Sequence, residues 1–242
     1  DSLTKYVQGL GYTVFRGSED DVLDRYYQAA REVKAGSVVR ITGDCPLIDP
    51  VLVDEIIAHF IASDVDYVSN KAPPTFPNGV DAEVFTFKAL NAAWSQTMVP
   101  RDREHVTPFI RESGKFSQVN FAYNMDYSEE RWTVDEPEDF EVVQKVFEYF
   151  NPRNDFHWLD VLALSKKHPE WFAANRHITR DEGSRMSTGQ KLFGRAKRSM
   201  PAGNLLRAKW SEAILPDQWP AYFSKAKGCK VWDLDGREYI DM

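Results

Sequence analysis

Short apolar runs alternate along the first part of the chain with longer segments whose apolar residues recur every three or four positions. The runs at residues 12–15, 37–41 and 65–70 predict buried strands. The segments at 19–35 and 49–60 predict helices between them. Strands that alternate with helices at this spacing indicate an α/β fold with a mostly parallel sheet. In such sheets, ligands bind beyond the carboxyl ends of the strands.

The middle of the chain has a less regular pattern. A loop is expected at 71–79, which holds three prolines and a glycine. The alternation at 80–87 predicts a strand that carries Asp81 and Glu83 on one face. Further expected elements are a helix at 88–98, a helix at 103–113 interrupted at Pro108, a strand at 116–123, a short strand at 132–134 and a long helix at 136–149.

Two aspartates follow predicted strands in the same way. Asp44 comes after the run at 37–41 and after Gly43, and Asp135 comes after the short strand at 132–134. Both positions suit side chains that face a ligand at the rim of a sheet. Each also has a simpler interpretation. Asp44 could be a turn residue, because Gly-Asp and Cys-Pro pairs are common in turns. Asp135 could cap the following helix, a role worth about 1 kcal/mol.

Composition and charge restrict the function classes. A chain of 242 residues that is 43% hydrophobic can bury a sizeable core as one large domain, or as one domain and a fragment. The net charge of −7 argues against nonspecific binding to nucleic acid or to a membrane surface. Two distant cysteines indicate a reducing cytoplasm, and the five histidines show no zinc-ligand spacing. No apolar stretch reaches the roughly 20 residues that span a bilayer.

Five motifs, in order, resemble one enzyme family. They lie at 15–30, 40–50, 75–90, 103–110 and 133–141, and include RITGDCPLIDP and TVDEPEDFE. Together they resemble the spore coat polysaccharide biosynthesis protein F group of cytidylyltransferases, relatives of the enzymes that make CMP-activated sugar acids. The resemblance implies a Rossmann-like, GT-A-like nucleotidyltransferase fold. It also implies that a sugar or sugar-acid oxygen attacks the α-phosphorus of CTP and releases pyrophosphate, in surface polysaccharide biosynthesis.

The resemblance also implies roles for particular residues. Asp44 and Asp135 match the catalytic positions that hold Mg²⁺, an ion that prefers carboxylate, water and phosphate oxygens. Asp81 and Glu83 match an acidic pair that binds the hydroxyls of the acceptor sugar, with a solvated strand face as the alternative. Arg103 and His105 match donors to a phosphate or a sugar carboxylate; the alternatives are a surface ion pair with Glu104 and a structural histidine. Cys45 is interpreted as a small buried residue rather than a nucleophile.

The two ends of the chain lead us to expect a fragment. The first residue is Asp1, within an apparent helical period, and the last residues stop just after a turn and a second strand. The family opens with a strand and a basic, glycine-containing loop that binds nucleotide phosphates, which this sequence does not show. We therefore expect this chain to be inactive or nearly so, and its full-length parent to act on CTP.

The tail resembles a second family. Residues 191–203 and 220–242, with the run VWDLDGREYIDM, resemble the beginning of class III pyridoxal-phosphate (PLP) aminotransferases, the group that contains glutamate-1-semialdehyde aminomutase. That family places its PLP lysine farther downstream, so no residue here is assigned to PLP. The expected domains are a nucleotidyltransferase domain at 1–175, a linker at 176–187 and a truncated aminotransferase domain at 188–242.

Two other functions remain open on the sequence. One is a PLP-dependent aminotransferase or aminomutase, taken from the tail, and the other is a non-catalytic domain that binds sugar nucleotides. The expected partners are CTP and a sugar or sugar acid, with no nucleic acid and no membrane. A homodimer is a further alternative that the sequence does not decide.

Overall fold

A computed structural model describes residues 2–178, 180, 189, 192, 193, 196 and 220–240. The chain divides into two compact units, Asp1–His177 and Ile178–Met242. The first unit contains a four-stranded sheet, and the second contains a three-stranded sheet.

The first unit is built from helices on both faces of a mixed sheet. Its strands are β1 (Ser37–Arg40), β2 (Tyr67–Ser69), β3 (Glu83–Thr86) and β4 (Gln118–Asn120). Its helices are α1 (Ser2–Gly9), α2 (Val22–Glu32), α3 (Pro50–Ser63), α4 (Phe87–Gln96), α5 (Pro100–His105), α6 (Pro108–Glu112), α7 (Pro137–Phe150) and α8 (Trp158–Lys167). The predicted α/β class is confirmed by this arrangement.

The prediction of a mostly parallel sheet is wrong. The strand order is β1-β3-β2-β4, and β3 runs antiparallel to both of its neighbours, whereas β2 and β4 are parallel. A parallel connection needs a crossover of a dozen or more residues, usually a helix. The described segment between β2 and β3 contains no helix, so the chain returns from the same rim at which β2 ends.

Among the local predictions, those of strands at 12–15 and 132–134 are wrong, because neither segment forms a strand. The backbone at 12–15 is irregular rather than a strand, and Tyr12 is largely exposed. Among the described residues β1 pairs with β3 alone, so the 12–15 segment forms no strand hydrogen bonds with β1. The cap of α7 is Glu136 and not Asp135, with Asp139 completing the capping box. The predicted interruption near Pro108 is confirmed, since α5 ends at His105 and α6 begins at Pro108.

Each face of the sheet covers a separate hydrophobic core. Alternate strand residues point to opposite faces. On one face, Val68 and Val84 pack with residues of α3, α7 and α8 and with Trp132, which lies before α7. Tyr67 and Phe85 pack with residues of α2, α4 and α6. This double covering holds the strands rigid, so the loops at their ends are positioned by the two cores.

The second unit is a small antiparallel sheet. Its strands are β5 (Phe223–Lys227), β6 (Lys230–Asp233) and β7 (Glu238–Ile240). The Asp-Gly pair at Asp235–Gly236 predicts a hairpin turn. The structure has this turn, where the buried Asp233 side chain accepts hydrogen bonds from the N–H groups of Asp235 and Arg237. The sequence also predicts a helix at 190–200 and a Pro-Gly break at 201–203; most of this helix and the break lie outside the described residues. Within the described residues, no helix is long and apolar enough to cross a membrane.

Candidate active site

The loops that carry Asp44 and Asp135 are joined through the backbone. The carbonyl oxygen of Asp44 accepts a hydrogen bond from the N–H of Val134 at 2.8 Å and from Oγ1 of Thr133 at 3.1 Å. Asp44 is exposed, and half of the Asp135 side chain is exposed. The structure therefore brings together two aspartates that are 91 positions apart in the sequence, and it leaves both carboxylates accessible to solvent.

The Asp44 loop is fixed by the start of α3. Asp49 caps that helix, and its Oδ1 accepts from the N–H of Val51 at 2.8 Å. Its Oδ2 accepts from the N–H of Trp158 at 2.9 Å, which ties the loop to the first residue of α8. Asp49 is buried, so these hydrogen bonds replace its lost water.

Cys45 lies beside Asp44 but is not suited to nucleophilic chemistry. Burial raises the pKa of its thiol to about 12, and the charge of Asp44 acts in the same direction. The thiolate is the reactive form of cysteine. This supports the prediction of a small buried residue.

Asp135 is held by a buried network that the sequence did not reveal. Nη2 of Arg131 donates to Oδ2 of Asp135 at 2.9 Å and to Oδ2 of Asp139 at 2.7 Å, and Nε of Arg131 donates to Oδ1 of Asp139 at 2.8 Å. Nδ2 of Asn175 donates to Asp139 at 2.8 Å and to the Arg131 carbonyl at 3.0 Å. Asp139 also accepts from the N–H of Asp135. The network thereby fixes both the backbone and the side chain of Asp135.

The two carboxylates that accept from the Arg131 guanidinium differ in acidity. Burial raises the pKa of Asp135, and the negative charge of Asp44 raises it further, against the effect of Arg131. Burial also acts to raise the pKa of Asp139, but hydrogen bonds from Arg131 and Asn175 outweigh it, and the pKa is lowered. Asp135 is thus the carboxylate of this pair that gains from a further positive charge.

A glycine of the proline-rich loop packs against the segment that leads to Asp135. Gly79 has φ of +115°, and a Cβ atom there would lie 2.5 Å from the carbonyl carbon of Trp132 and 2.6 Å from the nitrogen of Thr133. A side chain at position 79 is therefore excluded both by conformation and by space. The adjacent Asn78 exchanges backbone hydrogen bonds with Glu130 and Trp132.

The predicted acidic pair on β3 is divided by the structure. Glu83 is buried, and its carboxylate accepts from Nη1 of Arg40, from the Tyr67 hydroxyl at 2.5 Å and from the Thr107 hydroxyl at 2.7 Å. The alternative of a solvated strand face is therefore wrong for Glu83. Its burial and its three hydrogen-bond donors also argue against direct contact with an acceptor sugar. Asp81 lies nearer the surface, with its Oδ2 4.0 Å from Nζ of Lys71.

Arg103 and His105 do not join the two aspartates. Arg103 donates from Nε and Nη2 to Asp21, the N-cap of α2, and from Nη1 to the carbonyl of Trp94 in α4. Arg103 pairs with Asp21, and not with Glu104 as in the alternative interpretation. His105 is partly exposed, with its Nε2 3.9 Å from Oε2 of Glu104. Arg103 thus ties α2 to α4, and contact of Arg103 or His105 with substrate stays a prediction.

Comparisons with known proteins agree with this architecture. The model of the cytidylyltransferase family matches residues 4–156. The chain is 38% identical over 157 residues to the uncharacterised protein MJ1063 of Methanocaldococcus jannaschii, covering 62% of this chain and 63% of that protein. It is 32% identical over 166 residues to the spore coat polysaccharide biosynthesis protein SpsF of Bacillus subtilis, covering 66% of this chain and 67% of that protein.

A solved structure gives the same result for the fold. A cytidylyltransferase from Leptospira borgpetersenii superposes with a TM-score of 0.68 and 32% sequence identity, covering 71% of this chain and 73% of the other. The chain thus spans a little under two thirds of MJ1063 and about two thirds of SpsF. The family match ends at residue 156 and does not include the tail. The chain belongs to the cytidylyltransferase family.

Proposed function

We propose that the protein transfers CMP from CTP to a sugar or sugar acid and releases pyrophosphate, in the synthesis of a surface polysaccharide in the cytoplasm. Membership of the cytidylyltransferase family supports the reaction class. The likeness to SpsF supports a polysaccharide pathway. The observation that carries the proposal is the hydrogen bond between the carbonyl of Asp44 and the N–H of Val134, because it places two exposed aspartates at one rim.

The residues at this rim fit a magnesium ion. Mg²⁺ binds through one or two carboxylates and completes its shell with water and substrate phosphates. Asp44 and Asp135 would supply the two carboxylates. Burial and then the negative charge of Asp44 raise the pKa of Asp135, and a cation would offset that charge. The described residues contain no group of three or more His, Cys, Asp or Glu that could hold a metal ion. The proposed ion therefore depends on phosphate oxygens for much of its shell.

The protein's own part in the reaction is positioning. When bound, Mg²⁺ neutralises charge on the phosphate oxygens of the nucleotide. Arg131, Asp139 and Asn175 hold Asp135 in place before any ligand arrives. Asp81 is the acidic residue of the predicted acceptor pair that stays close to the surface, and it orients the hydroxyls of the sugar in this proposal.

The decisive experiment compares Asp44→Asn with a matched control. Asparagine keeps the backbone carbonyl that binds Val134 and removes only the charge, so the variant should fold normally. We expect Mg²⁺-dependent release of pyrophosphate from CTP by the protein to fall by about 100-fold or more. Asp54→Asn, on the exposed side of α3, should leave the rate unchanged. Binding of CTP that needs no metal and gives no turnover in the unsubstituted protein would instead favour the non-catalytic sugar-nucleotide-binding domain.

The aminotransferase interpretation of the tail stays a prediction. The described part of the second unit contains a three-stranded antiparallel sheet at 223–240. The absorbance of bound PLP in the protein tests the interpretation directly. Such an absorbance would support an aminotransferase half, and no absorbance would count against it.

A further inference from the structure

Arg40 is a buried cation with donors that the protein does not use. It ends β1, only 14% of its side chain is exposed, and it donates from Nη1 to Glu83. Its Nε is buried without a hydrogen-bond partner. Among the residues that the structure describes, the guanidinium makes no other hydrogen bond. A buried N–H without a partner costs free energy, so such a group calls for an explanation.

The surroundings of Arg40 fix its position but do not provide an acceptor for every N–H group. Its partner Glu83 is held from two other elements, by Tyr67 on β2 and by Thr107 between α5 and α6. Those three contacts use both oxygens of the carboxylate. Arg40 is therefore anchored at one corner of its guanidinium, through Nη1, and its Nε is left without an acceptor.

A second cation lies on the same side of the sheet rim. Nζ of Lys71 is 4.0 Å from Asp81, and the positive charges of Arg40 and Lys71 both act to lower the pKa of Glu83, which burial alone would raise. Lys71 directly follows the strand-end residues Ser69 and Asn70, as Asp44 follows β1. Two partly buried cations thus flank one buried carboxylate.

The proposed reaction needs positive charge at this rim. Asp44, Asp81 and Asp135 are all acidic, and Arg131 is already bound to Asp135 and Asp139. Both CTP and a sugar acid are anionic, so a site built from these acids and one Mg²⁺ would repel them in part. An arginine with free, adjacent N–H groups binds a phosphate or carboxylate by two parallel hydrogen bonds.

We infer that Arg40, assisted by Lys71, binds an oxyanion of the substrate, and that Glu83 positions Arg40 for this contact. The ligand chemistry is a phosphate or a carboxylate group. The inference rests on the proposed function for the source of that group, which is either the nucleotide or the acceptor. It gives Glu83 an indirect role in place of the direct contact with a sugar hydroxyl.

Calorimetry on the full chain in EDTA tests the inference without metal and without turnover. The probes are inorganic pyrophosphate, glucuronate and, as an uncharged control, galactose. The variant Arg40→Lys keeps the charge that neutralises Glu83 but loses the fork of N–H donors, so a purely structural arginine would tolerate it. The matched control is Arg101→Lys, an exposed arginine bound to Glu112 at 2.7 and 2.8 Å.

We expect at least one of the two anions to bind and galactose not to bind. Arg40→Lys should weaken binding of the anion by about tenfold or more. Weaker binding of pyrophosphate would assign the contact to the nucleotide, and weaker binding of glucuronate would assign it to the acceptor. The control should bind as the unsubstituted chain does. Binding of neither anion, or equal binding by Arg40→Lys, would overturn the inference.

A second measurement needs no folded variant. The Nε–H resonance of Arg40 in the unsubstituted, ¹⁵N-labelled chain should shift on titration with the bound anion, and the Nε–H resonance of Arg101 should not. An unchanged Arg40 resonance would exclude the contact. If the anion binds through Arg40 but the protein releases no pyrophosphate from CTP, the proposed function fails and this inference stands.

Discussion

The N–H of Val134 donates to the carbonyl oxygen of Asp44 at 2.8 Å. This hydrogen bond joins two loops through main-chain atoms only. The neighbouring carboxylates of Asp44 and Asp135 take no part in it. This main-chain joint therefore does not need the charge of either acidic side chain. Function and stability can consequently be separated by substitution at these two positions.

Asp135→Asn should leave folding intact and abolish the metal-dependent reaction. The substitution removes a carboxylate whose pKa is raised by burial and by the charge of Asp44, so the metal-free protein loses a repulsion. We expect an unchanged or higher melting temperature in EDTA, and weaker binding of Mn²⁺ measured by electron paramagnetic resonance. A clearly lower melting temperature would show that Asp135 is needed for folding.

Arg131→Met should be strongly destabilising. It leaves the buried Asp139 carboxylate without its cation, and breaking a buried pair on one side costs about 3–5 kcal/mol. Urea unfolding measures the change in the free energy of unfolding. Arg153→Met removes an exposed ion pair with Asp160 and should cost about 1 kcal/mol or less. Equal effects of the two substitutions would contradict the role of the buried network.

Gly79→Ala should destabilise the protein and disturb the site at the same time. The new methyl group would meet the backbone of Trp132 and Thr133 at 2.5–2.6 Å, at a φ of +115° that alanine rarely adopts. We expect a loss of about 2 kcal/mol or more in the free energy of unfolding. Gly36→Ala is the matched control, because nothing lies within 4 Å of its added Cβ. A Gly79→Ala variant as stable as the control would disprove the close approach.

Acid should weaken the Arg131 network. The pKa of Asp139 is lowered in the folded protein, from an ordinary value of 3.8, so its stabilising contribution is complete above pH 3.8 and is lost as the pH falls through the folded value. Asp139→Asn should therefore reduce the dependence of the free energy of unfolding on pH below about pH 4. Unfolding by urea at several pH values measures it, with the exposed Glu138→Gln as control. An unchanged slope in Asp139→Asn would contradict the lowered pKa.

The two cysteines should differ in reactivity. Cys45 is buried and its thiol has a pKa raised to about 12, whereas Cys229 is exposed. At pH 8, iodoacetamide should modify Cys229 quickly and Cys45 only after unfolding. Mass spectrometry of peptides taken at timed intervals separates the two sites. Modification of Cys45 at the rate of Cys229 would contradict its burial.

The local sequence pattern was sufficient for much of the first unit. The α/β class, the strands at 37–40 and 67–69, the helix from Pro50 and the helix from Pro137 follow from periodicity and capping residues that act within a few positions. The positions of Asp44 and Asp135 at the ends of apolar runs also made them candidates. That they share one rim required a contact between residues 44 and 134, which no local pattern encodes.

The tertiary structure alone decided which polar side chains form hydrogen bonds inside the protein. Glu83 has the same place in the alternation as an exposed strand residue, but Arg40, Tyr67 and Thr107 converge on it from three other parts of the chain. Asn175 reaches Asp139 across 36 positions, and β3 reverses direction because a loop rather than a helix precedes it. The sequence by itself determined the elements and the family motifs, since these depend on neighbouring residues. The direction of the sheet, the partners of each buried charge and the N–H groups that Arg40 leaves unused depend on distant segments packed together, where an unpaired polar group costs free energy.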